Sequence, residues 1–73
     1  MTVQEAARTL YETFSDRSWF TAVGAGHDHG RECIVLYVRR RDPEVIRLHS
    51  KDWLGYRVIV RRASTPQLLA EAL

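Results

Sequence analysis

The chain is short of most things from which function is read off composition. It holds one cysteine, Cys33, so no internal disulfide can form and a disulfide-stapled secreted scaffold is excluded. Two prolines and four glycines in 73 residues leave no linker and no low-complexity tract. No uninterrupted apolar run approaches the ~18 residues of a membrane span, and Glu5 and Arg8 break the N-terminal pattern a signal peptide would need. A cytoplasmic address with no membrane partner is therefore expected. Also missing are a Gly-x-Ser-x-Gly elbow, a His-Glu-x-x-His helix and a phosphate-binding glycine loop, and with them the hydrolase, metallopeptidase and nucleotide-binding classes that depend on those motifs. The expectation is a protein with no catalytic site of its own and no cofactor.

What is present suffices for one domain spanning residues 1–73. At this size folding hides only about 60% of the unfolded chain's surface, and net stability should be about 4 to 11 kcal/mol. The apolar share of 45% and charged share of 27% are those of a folded globular domain. Net charge is only +2, which gives little long-range steering, but it is unevenly spread. Residues 31–62 carry nine basic side chains against Glu32, Asp42, Glu44 and Asp52, a local +5, while the flanks total −3. Ten of the eleven basic residues are arginine.

Periodicity predicts five elements. Thr2 to Glu5 reads as a capping box, and Val3, Ala6, Ala7, Leu10 and Phe14 then recur at helical spacing until Ser15-Asp16-Arg17-Ser18 competes for the backbone. Residues 19–25 read as a strand with Trp19, Thr21, Val23 and Ala25 on one face and Phe20, Ala22 and Gly24 on the other. His27-Asp28-His29-Gly30 reads as a hairpin loop leading to Cys33–Val38, the most apolar run and the expected central strand. Arg39-Arg40-Arg41 and Asp42-Pro43 end it. Val45, Ile46 and Leu48 are expected in a link over a sheet edge, and Ser50–Gly55 in one short turn capped by Ser50 and stopped by Gly55. Tyr56–Arg61 alternates as a half-exposed strand, with Tyr56, Val58 and Val60 opposite Arg57, Ile59 and Arg61. Thr65-Pro66 opens a final short helix with Leu68, Leu69, Ala72 and Leu73 as its apolar face. The expected fold is a two-layer α+β domain of order helix-strand-strand-strand-helix, with a three-stranded, mainly antiparallel sheet.

Three constellations carry chemistry. His27 and His29, with Cys33 or His49, offer metal donors, although zinc sites usually draw on two separated pairs and only one exists here; an exposed polar hairpin tip explains the same residues. Cys33 beside either histidine has the residue types of a nucleophile and base, but a thiol in an apolar run stays protonated and inert. Arg39, Arg40 and Arg41, with Arg57, Arg61 and Arg62, could meet on one sheet surface beside an aromatic ring and grip phosphates; the competing account is that outward and edge positions of a sheet must be polar.

The element order resembles that of the double-stranded-RNA-binding domain, but where that family places a basic cluster at its last helix this chain reads Ser64-Thr65-Pro66-Gln67-Leu68, so RNA binding does not carry over. Val23-Gly24-Ala25-Gly26, Cys33-Ile34-Val35-Leu36-Tyr37-Val38 and Leu54-Gly55-Tyr56-Arg57-Val58-Ile59-Val60 resemble the small α+β segment that precedes trypsin-like domains in some bacterial serine peptidases, and its short standalone relatives. That likeness spans about residues 19–62, lacks the Gly-Asp-Ser-Gly nucleophile motif, and implies an accessory or adaptor module. The functional expectation is a non-enzymatic interaction or assembly module whose partner is another protein or a second copy of itself. Nucleic-acid binding through the arginines and metal binding through His27 and His29 stand as alternatives. Trp19, Tyr37, Trp53 and Tyr56 are the candidate interaction surface, and a sheet face that lacks a helix and turns Tyr37, Ile59 or Trp19 outward would favour a homodimer.

Overall fold

The computed structural model describes residues 1–49 and 51–63. Ser50 as a cap and the final helix from Thr65 lie outside the described residues. The first helix, α1 (Val3–Phe14), begins as its sequence dictates: the Thr2 side-chain oxygen accepts the Glu5 N–H at 3.2 Å, and the Thr2 carbonyl accepts the Ala6 N–H at 3.0 Å. Val3, Ala6, Ala7 and Leu10 are its buried stripe.

Strands β1 (Phe20–Asp28) and β2 (Arg31–Val38) form an antiparallel hairpin whose turn is His29-Gly30. Both turn residues have positive φ, 52° and 79°, the type I′ geometry that matches the twist of the strands it joins. The hairpin is as expected, but β1 runs three residues beyond Ala25.

The alternation predicted for β1 fails at one residue. Phe20 pairs with Val38 and Ala22 with Tyr37, so Thr21 is an extra residue in a β-bulge, its hydroxyl donating to the Ala63 carbonyl at 2.9 Å. The bulge shifts the phase by one. Phe20, Val23 and Ala25 therefore share one face, and Ala22, Gly24 and Gly26 take the other.

The link after β2 is a helix, α2 (Pro43–His49), started by Asp42, whose carboxylate accepts the Glu44 N–H at 3.0 Å. It corrects the expected irregular link and, with it, the topology. Next come β3 (Asp52–Trp53) and β4 (Tyr56–Arg62), in a mixed four-stranded sheet of order β1-β2-β4-β3. β4 runs parallel to β2, with Ile34 opposite Val58 and Leu36 opposite Val60, and antiparallel to β3. The fold is α+β, but the three-stranded, mainly antiparallel sheet and the unbroken run of three strands are corrected to this mixed sheet with α2 inserted. Parallel neighbours cannot be joined by a tight turn, so a crossover is obligatory.

The expected short turn at Ser50–Gly55 is instead the β3-β4 hairpin, with Leu54 and Gly55 at φ 51° and 88°. Both described helices pack on one sheet face, against Phe20, Ile34, Leu36, Val38 and Val58, with Val23, Val60, Trp53 and Tyr56 at the margin. No described helix is long and apolar enough to cross a membrane.

Leu54 is an exposed, γ-branched residue in the left-handed region, where asparagine is better tolerated and is preferred ahead of glycine in this turn. Leu54→Asn is expected to stabilise the protein by about 0.5–1 kcal/mol, read as a rise in the urea midpoint at unchanged m-value.

Candidate interaction surfaces

The aromatics divide sharply. Trp19 is 1% exposed and belongs to the core, which removes it from the candidate surface. Its indole N–H could not be buried without an acceptor, and Glu44 of α2 supplies one at 3.2 Å while also receiving Arg17 Nε at 3.1 Å. Phe14 stands between Trp19 and Trp53, with ring centroids 5.7 Å from each. Trp53 is half-buried, packed on the core, and donates to Thr9 Oγ1 at 3.0 Å. Tyr56 lies on the same side, its hydroxyl donating to the Met1 carbonyl at 2.9 Å. These contacts tie α1, α2 and the β3-β4 hairpin together, so three of the four aromatics proposed for binding serve folding. Tyr37 alone turns the other way.

That other sheet face carries neither described helix. Registers place on it Ala22, Gly24 and Gly26 from β1, Cys33, Val35 and Tyr37 from β2, and Ile59 and Arg61 from β4. Its relief is uneven. A Cβ at Gly24 would meet nothing within 4 Å, whereas one at Gly26 would lie 2.8 Å from Val35 Cγ2. The β1 side is thus a shallow trough beside a ridge of Val35, Tyr37 and Ile59. The alternation of β2 and β4 signalled the ridge; the trough was hidden by the bulge.

Cys33 sits at the end of this face, 2% exposed. Burial pushes its thiol above the ordinary value, the Asp28 carboxylate adds to that, and the Arg61 and Arg57 guanidiniums pull the other way. A thiol held protonated is a poor nucleophile. His27 and His29 are exposed, and His29 Nε2 lies 3.7 Å from Asp28 Oδ1. Among the described residues no three His, Cys, Asp or Glu side chains converge as a metal site would require.

The six arginines do not gather on one surface. Arg57 and Arg61 border the face without a described helix, Arg57 Nη1 standing 3.6 Å from Asp28 Oδ2. Arg39 donates to the Phe20 carbonyl at 3.3 Å, holding the β1-β2 end of the sheet. Arg40, which donates to Ser18 Oγ, lies with Arg41 and Arg62 along a groove beside α2. β2 and β4 present alternate residues to opposite faces, so arginines close in sequence separate in space. No family model, curated protein or solved structure matches this chain.

Two measurements check this geometry. Gly26→Ala is expected to cost about 1–2 kcal/mol in chemical denaturation, because β-branched Val35 cannot rotate freely away, and adding Val35→Ala should recover most of it. For Cys33, the unfolded thiol ionises first, so its contribution to stability is intact below pH about 8.5 and declines as pH rises beyond that value. The stability difference between the native sequence and Cys33→Ala should therefore shrink between pH about 8 and 10, and iodoacetamide should label the native thiol far more slowly than the unfolded one.

Proposed function

We propose that this protein is a non-enzymatic assembly module that pairs with a second copy of itself through the sheet face that carries neither described helix. The observation that carries the reading is the relief of that face: a trough over Ala22 and Gly24 lies beside a ridge of Val35, Tyr37 and Ile59. A two-fold axis lays the ridge of each copy in the trough of the other, the self-complementarity an isologous interface needs. The Cα atoms span 27 × 27 × 20 Å, so the footprint of one face is at most on the order of 700 Å², the scale of the ~800 Å² per partner of a standard interface. An apolar centre with a tyrosine, bordered by Arg57 and Arg61, has the make-up of an interface with a polar rim. A protonated, buried Cys33 supports the non-enzymatic part of the reading.

Sedimentation equilibrium from about 5 to 500 µM tests it. A dimer is expected for the native sequence and a monomer for Gly24→Val, because a Cβ at this position meets nothing within 4 Å in the free chain and the valine side chain occupies the trough. Tyr37→Asp should act likewise. A native chain that is monomeric throughout, or a dimer that survives both substitutions, overturns the proposal.

A further inference from the structure

A second surface lies on the helix-bearing side of the sheet, away from the face just described. Val38, Val45 and Val60 form the floor of a groove of about 440 Å³, Ile46 and His49 of α2 line one flank, and Arg40, Arg41 and Arg62 form its rim. Among the described residues no acidic side chain lines it. The nearest acids along the chain are committed elsewhere: Asp42 caps the Glu44 N–H, and Glu44 receives Arg17 and Trp19. Arg41, Arg62 and His49 have no side-chain partner among the described residues, while Arg40 is steadied by Ser18. Ile46 is 55% exposed at the edge of this apolar floor.

We infer that the groove docks a short acidic peptide segment of a partner protein, with carboxylates on Arg41 and Arg62 and an aliphatic side chain against Val45, Ile46 and Val60. Charge complementarity identifies the occupant: three guanidiniums with no carboxylate among the described lining residues select an anion, and guanidinium forks bind carboxylates in two-point geometry. The floor decides between peptide and nucleic acid. Among the described residues it is wholly aliphatic and has no aromatic plane on which a base would stack, whereas leucine- or valine-sized groups suit it. The groove lies at the end of the parallel β2-β4 pair where both strands finish.

The test is fluorescence anisotropy of the full chain with a labelled ten-residue peptide of alternating glutamate and leucine. Binding in the range of roughly 10–100 µM is expected for so small a charged contact, weakening several-fold between about 50 and 300 mM salt. Arg41→Glu and Arg62→Glu should each weaken it at least tenfold, as should Ile46→Glu, while Arg31→Glu, outside the groove, leaves it unchanged. Circular dichroism keeps misfolded variants out of the comparison. Absence of binding, equal binding of a glutamine-leucine peptide, or tighter binding of a ten-nucleotide oligothymidylate would each overturn the proposal. Because the groove and the self-association face lie on opposite sides of the sheet, peptide binding by a monomeric Gly24→Val variant separates this outcome from that of self-association.

Discussion

Two strands that lie side by side and run the same way need a connection long enough to return the chain, and the pairing of β2 with β4 imposes that on this molecule. The segment between them becomes α2, which packs beside α1 on the same sheet face and closes the core around Ile34, Leu36 and Val58. One face is thereby covered by both described helices and the other receives neither. The groove beside α2 follows from the same pairing, because it opens where β2 and β4 finish together and the helix begins. Both candidate surfaces are consequences of one strand direction.

A small core leaves little room for polar error, and the aromatic cluster shows how it is avoided. Trp19 and Trp53 bring bulk that an 8.5 kDa protein needs, and each indole N–H reaches an acceptor, Glu44 and Thr9. Among the described residues no buried side-chain nitrogen or oxygen lacks a partner. Glu44 has a double duty: it receives Trp19 inside and Arg17 outside, so α2 is held to the turn after α1 by a carboxylate half in water. That solvated ion pair adds little alone, and its value is in positioning the helix.

Much of the local structure was legible because short-range chemistry determines it. The Thr2 cap, the stripe of α1, the hairpin at His29-Gly30 and the faces of β4 all follow from neighbours a few residues apart. Other features were not. The bulge at Thr21, whose hydroxyl reaches Ala63, 42 residues away, moves Phe20 from the face of Ala22 and Gly24 to that of Val23 and Ala25. The fate of Trp19 depended on whether Glu44 would arrive to satisfy its indole. Leu54 gave no sign of a left-handed turn, since leucine rarely adopts one.

The amino-acid order by itself determined which segments could be helix or strand and which face of each was apolar, because those are properties of propensity and period. Whether β4 would lie parallel or antiparallel to β2 was open at that level, since an alternating strand satisfies either ladder. Only the assembled sheet decided it, through the burial of Val45 of the crossover helix and Val58 of β4 in one core. With that choice came the separation of six arginines into a groove, a rim and a structural tie, and a sheet face whose relief no single segment could reveal.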